Sequence, residues 1–147
     1  MTTIAFRSGQ LAADTLIAYT NITNGSRPKI ERCGAYTAAL AGSAWLRRPL
    51  EEWCHAGCPI DKVPQALLDN ESSFAALIID RDGKVFEFDN GYLTPVYADY
   101  TAIGSGAMLA LGAMAHGASA EEAVLAAALH DKNTGGPVTI LSFPLES

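Results

Sequence analysis

The chain has 147 residues, with 10 Lys and Arg against 16 Asp and Glu and a formal net charge of −6 at neutral pH. Hydrophobic residues make up 49% and charged residues 18%, which excludes intrinsic disorder, and the length predicts a single domain over residues 1–147. So acidic a chain lacks the basic surface that nucleic-acid phosphates or an anionic membrane require, so neither is expected as a partner.

Residues 3–7 and 10–18 are apolar runs around Ser8-Gly9 and predict an opening β-hairpin. Residues 20–28, rich in Asn, Gly, Ser and Pro, read as a loop. Residues 29–33 and 35–41 predict a second strand pair. Gly42-Ser43 then opens a helix from 44 to about 55, with Trp45, Leu46, Leu50 and Trp53 near helical spacing and Pro49 in or bending an early turn. Gly57, Pro59 and Pro64 leave room only for a short helix around 63–68. Residues 74–80 and 84–89 flank Arg81-Asp82-Gly83, a hairpin signal. Residues 95–103 run extended into Gly104-Ser105-Gly106. Two helices follow, over about 106–116 and then to about 130, the second opened by a Ser119/Glu122 capping box. Residues 138–143 predict a last strand. Strands grouped in hairpins with helices between the groups indicate an α+β fold, with antiparallel sheets and helices packed outside, rather than a parallel βαβαβ sheet.

Three cysteines make an odd number and imply no disulfide framework, and no basic segment followed by an apolar one marks a signal peptide, so a cytoplasmic location is expected. The apolar run at 107–115 is too short to span a bilayer. Cys54-His55-Ala56-Gly57-Cys58 has ligand spacing in one limb only, and a structural zinc site needs four ligands, so no metal is expected and the cysteines read as core. His116 and His130 lie near helix C-termini, where a cation suits the dipole. Gly104-Ser105-Gly106 lacks the full GxGxxG spacing, so no dinucleotide or other cofactor is expected; alone it is a strand-to-helix turn. Asp131-Lys132-Asn133-Thr134-Gly135-Gly136, alone, is a glycine-rich helix exit.

Thr2 follows Met1, and methionine aminopeptidases clip Met before small residues, which gives a mature chain starting at Thr2. A terminal threonine carries its own base, because an α-amine titrates at about 7.7–8.0 and can take the hydroxyl proton directly or through water. Many chains begin Met-Thr, so the feature gains weight only from the motifs beside it.

Those motifs run in order along the chain: Thr2-Thr3-Ile4, Leu11-Ala12-Ala13-Asp14, Pro28-Lys29-Ile30, Leu40-Ala41-Gly42-Ser43-Ala44, Ala102-Ile103-Gly104-Ser105-Gly106, and Asp131-x-x-Thr134-Gly135-Gly136. Together they resemble the N-terminal-nucleophile hydrolases of the proteasome β-subunit and HslV peptidase type over nearly the full length. The chain differs in a tighter first hairpin, in Thr134 where the pattern has serine, and in a shorter segment between Gly42 and Phe74.

The resemblance implies a four-layer αββα sandwich and a threonine peptidase. In it Thr2 is the nucleophile, Lys29 the cation beside it, Asp14 the partner of Lys29, and the Gly42 N–H the oxyanion donor. Ser105, Asp131 and Thr134 form the polar network around the Thr2 amine. It also implies peptide or unfolded-protein substrates and a homo-oligomeric ring, open to an ATP-dependent unfoldase. Trp45, Trp53 and the alanine-rich helix at 121–129 are expected to supply contact surface. Two other readings stay open: an inactive assembly subunit of the same fold, and a small-amide hydrolase. Without the resemblance, Lys29 and Asp14 read as a strand-edge charge pair worth little.

Overall fold

The opening hairpin forms where Ser8 and Gly9 both take positive φ (50° and 78°), as a two-residue turn matched to strand twist requires. In the computed structural model, which describes residues 2–19 and 22–145, it joins β1 (Thr3–Arg7) to β2 (Gln10–Ala13), with Ile4 opposite Ala13 and Phe6 opposite Leu11. The predicted strand over 10–18 breaks at Asp14-Thr15. There the Thr15 and Leu16 N–H groups turn to the Gly135 carbonyl, both at 3.1 Å.

The chain then enters β3 (Leu16–Tyr19), which pairs with β4 (Ile22–Ser26) as a separate two-stranded sheet. The expected loop over 20–28 is therefore corrected over 22–26; positions 20 and 21 lie outside the described residues. A register shift between Leu16 and Ala18 lets the turn-prone Gly25 (φ 99°) sit within a strand pair, which composition alone does not reveal.

β5 (Ile30–Cys33), β6 (Tyr36–Gly42), β7 (Phe74–Asp80), β8 (Val85–Asp89) and β9 (Tyr92–Pro95) form a five-stranded antiparallel meander in that order. The extended segment expected over 95–103 is corrected: Pro95 ends β9, which is turned back by Asn90 (φ 50°) and Gly91 (φ 86°), and no strand follows until residue 100. β10 (Tyr100–Gly104) then pairs with β1, and β11 (Thr139–Ser142) with β2, giving an antiparallel sheet of order β10-β1-β2-β11.

The helices are α1 (Arg47–His55), α2 (Gln65–Asp69), α3 (Ala107–Ala115) and α4 (Ala120–His130). A 3₁₀ turn over Ala44–Leu46 leads into α1, and Pro49 sits in its first turn, where a missing N–H leaves no helical bond unmade. The Ser119/Glu122 capping box is present in both directions, and its hydrogen bonds hold the Glu122 carboxyl below its ordinary range.

Side-chain alternation sorts the core into three clusters. Ile4, Phe6 and Leu11 from one sheet pack with Ala39, Leu77 and Ile79 from the other. Leu40, Ile78 and Phe88, on strands of the five-stranded sheet, meet Leu50, Trp53 and Leu67. Ala5 and Ala12 meet Ala110, Met114, Ala123 and Val124 of α3 and α4. The sequence of β7, FAALIID, reads as a continuous apolar run because both its faces are covered. Trp53 is buried edge-on against Phe88 at 5.6 Å, and its indole N–H donates to the Pro59 carbonyl at 2.9 Å, so it supplies core rather than contact surface. Cys33, Cys54 and Cys58 are free, buried thiols in the same cluster. Among the described residues no group of three or more His, Cys, Asp or Glu converges to hold a metal ion, and no helix is long and apolar enough to cross a membrane.

Candidate active site

Asp14 directly follows β2; its backbone N–H still donates to the Thr3 carbonyl, and its side chain is fully buried. A buried carboxylate needs hydrogen-bond donors or a counter-charge to offset its lost hydration. Here Oδ1 accepts from the Thr3 N–H (3.0 Å) and from Lys29 Nζ (3.0 Å), and Oδ2 accepts from the Gly135 N–H (3.1 Å). The Lys29 side chain is 8% exposed, and Lys29 immediately precedes β5. Burial pushes its ammonium below the ordinary 10.5; the Asp14 charge and hydrogen bond oppose that shift but do not cancel it.

A second carboxylate lies on the other side of the Thr2-Thr3 step. Asp131 caps the end of α4, and its Oδ2 accepts from Ser105 Oγ and Thr134 Oγ1, both at 2.6 Å, while Oδ1 accepts from the Asn133 N–H at 3.1 Å. Burial works to raise this carboxyl, but the three donors outweigh it and hold the group below its ordinary 3.8.

Proton counting orients the hydroxyls. Thr134 gives its one proton to Asp131, so across the 2.7 Å contact Thr3 Oγ1 is the donor. Ser105 gives its proton to Asp131 at 2.6 Å rather than to the Thr2 carbonyl at 3.3 Å, and accepts from the Thr2 N–H at 3.1 Å.

Glycine is dictated at two of these positions. A Cβ on Gly104, whose φ is 101°, would collide with the Thr2 carbonyl oxygen. One on Gly106 would collide with Thr3 Oγ1 and crowd Ala127 and Thr134. The turn-geometry reading and the site reading of Gly104-Ser105-Gly106 therefore coincide: the glycines let the turn close onto β1, and that closure brings Ser105 to Thr2.

A cavity of about 420 Å³ opens beside this network, and Thr2, Lys29 and Gly42 share its wall. The seven candidates thus fall into one constellation: three on the cavity, Asp14 behind Lys29, and Ser105, Asp131 and Thr134 joined by hydrogen bonds to the Thr2 N–H and Thr3 hydroxyl. Sequence reading missed Thr3 and Gly135, which supply an N–H each to Asp14. Neither has a side-chain signature for that role, because the donor is backbone. His116 and His130 cap or end helices and belong to neither network.

Mixed helix and sheet with antiparallel pairing throughout defines an α+β protein. No protein-family model and no curated protein sequence matches the chain. Among solved structures it is similar to Thiobacillus denitrificans BPH in complex with epoxomicin, at 22% identity and a TM-score of 0.72, with 99% of each chain covered. It is also similar to Thiobacillus denitrificans BPH at 22% identity and a TM-score of 0.67, with 95% of each chain covered. The shared feature is the fold, over its whole length.

Proposed function

We propose that the chain is a threonine peptidase subunit of the N-terminal-nucleophile class, similar to proteasome β and HslV, built as one domain with a four-layer αββα arrangement. The three core clusters, one between two sheets and one outside each, support the layering. The observation that carries the reading is the seating of Thr2: its nitrogen is held by Ser105, which is held by Asp131, while Thr2 shares a cavity wall with Lys29 and Gly42. The epoxomicin complex of the Thiobacillus protein supports the same chemistry.

In this reading Met1 is removed and the Thr2 nitrogen becomes an amine. The amine takes the proton of the Thr2 hydroxyl, and the oxygen attacks a peptide carbonyl. Lys29, cationic and buried, stabilises the oxygen as it becomes an alkoxide and lowers the amine's affinity for a proton by like-charge repulsion. The Gly42 N–H donates to the oxyanion, a contact worth about 3–4 kcal/mol of barrier in enzymes of this kind. Collapse passes the proton to the leaving amine and leaves an ester on Thr2. Water, deprotonated by the same amine, then releases the acid and restores Thr2. No metal or cofactor is needed for this sequence.

The protein acts in the cytoplasm on peptides or unfolded proteins, as a homo-oligomeric ring open to an ATP-dependent unfoldase. Met108 (80% exposed), Leu129 (79%) and Trp45 (61%) supply apolar surface for the ring, in place of Trp53. The test is a panel of fluorogenic peptides and simple amides, run on protein whose N-terminal residue has been identified by mass spectrometry. Peptide hydrolysis by chains beginning at Thr2 is the expected result. Hydrolysis of amides alone would make it a small-amide hydrolase. No hydrolysis of either by folded, Thr2-initiated protein would make it an inactive assembly subunit.

A further inference from the structure

The cavity beside Thr2 carries three cations on its wall, Arg27, Lys29 and Arg47, and no carboxylate. Two of the three are committed. Lys29 is paired with Asp14 at 3.0 Å. Arg47 is tied to Glu51 at 2.5 Å, to Glu31 at 3.2 Å and to the Pro28 carbonyl at 2.7 Å. Arg27 differs. Its backbone N–H is fixed by the Thr15 carbonyl at 2.8 Å, its side chain is exposed, and among the described residues no carboxylate forms an ion pair with it. Leu16, Leu40 and Trp45 give the wall an apolar stretch beside the hydroxyls of Thr2 and Ser43. The cavity therefore offers an apolar stretch and one guanidinium whose charge is not offset.

We propose that Arg27 determines substrate specificity by pairing with a carboxylate on the substrate side chain seated in this cavity, which makes peptides with glutamate or aspartate at that position the preferred substrates. The inference rests on the peptidase reading of the same site. A guanidinium presents a planar fork that matches a carboxylate at two oxygens, and such charge-assisted bonds are about twice as strong as neutral ones. A bound peptide would exclude water from the pair and strengthen it. The methylenes of glutamate suit Leu16 and Leu40, whereas a lysine or arginine side chain would meet the like charge of Arg27.

The experiment compares kcat/KM for three fluorogenic peptides that differ only in the residue before the reporter: Glu, Leu or Lys. The Glu peptide is expected to exceed the Leu peptide by about tenfold, as a charge-assisted hydrogen bond of ordinary strength gives. The Lys peptide should be slowest. Arg27→Ala should bring the Glu-to-Leu ratio near one, and Arg27→Glu should move the preference to Lys. An unchanged ratio in Arg27→Ala, or no Glu preference in the wild type, would overturn the inference and leave the peptidase reading intact. Binding of the same peptides to the Thr2→Ala protein, read by fluorescence anisotropy, needs no turnover. The same order of affinities is expected there, and equal affinities for the Glu and Lys peptides would overturn the inference whatever the catalytic result.

Discussion

Lys29 and Asp14 are buried together, and that changes what removing either one does. Breaking a buried pair by deleting one partner costs about 3–5 kcal/mol when the other is left uncompensated. Asp14 keeps the Thr3 and Gly135 N–H donors, so the penalty in Lys29→Ala should fall below that range without vanishing. Peptide hydrolysis should be lost in Lys29→Ala well beyond what the stability loss explains, and near wild-type rates would return Lys29 to a structural charge pair. The lowered pKa of Lys29 gives a pH signature. Activity needs the ammonium, so it should decline as pH rises through a value below the ordinary 10.5. Lys29→Arg should be poorly active and lack that decline, because a guanidinium does not titrate there. The sign for stability is opposite. Between the lowered pKa and 10.5 the unfolded chain holds more protons than the folded one, so stability should rise with pH across that window. Arg27, exposed at the same cavity, bears chiefly on substrate choice, but its positive charge also helps to lower the Lys29 pKa, so Arg27→Ala should move that decline to higher pH.

The turn between β10 and α3 shows how an element builds the site. Its glycines are required by close approach, not by composition: Gly104 lies against the Thr2 carbonyl and Gly106 against Thr3 Oγ1. Gly106→Ala should lower the melting temperature by about 10 °C, the effect of a few kcal/mol in a chain of this size, and should reduce activity by displacing Thr3. An unaltered melting curve would show that the turn has room the packing denies. Much of this level was readable from the residues. The Asp82-Gly83 hairpin, the Ser119/Glu122 capping box and the Ser8-Gly9 turn all depend on local chemistry and appear where that chemistry sits. β4 and β9 did not announce themselves, for opposite reasons. Asn24-Gly25-Ser26 has turn composition yet lies in or beside a bulged strand pair, so tertiary pairing overrode local preference. Asn90-Gly91 is a strong turn signal, but the strand after it, YLTP, is short and ends in proline, and only pairing with β8 reveals it.

At the scale of the whole molecule, the site is assembled from positions far apart in the chain. Thr2 meets Ser105 across 103 residues, and Thr3 meets Thr134 across 131. No local pattern encodes such contacts; they follow from the register that sets Thr3 opposite Gly104 and from the return of the chain after α4. The seven candidate residues were readable only as a series of weak motifs in one order. Ring assembly belongs to this scale too. Met108 on α3 and Leu129 on α4 are among the most exposed large apolar side chains, and identical chains joined head to tail form a ring where the rotation between neighbours closes. Sedimentation at micromolar concentration should give a species of six or seven chains, or twice that if rings stack; monomer mass alone would contradict ring formation.

The central claim is that Thr2 carries the chemistry, and hydrolysis of a fluorogenic peptide by Thr2→Ala protein, beside the wild type, tests it most directly. The wild type should turn over, and Thr2→Ala should be inactive while keeping the wild-type fold and sedimentation. Undiminished turnover by correctly folded Thr2→Ala protein would contradict the account.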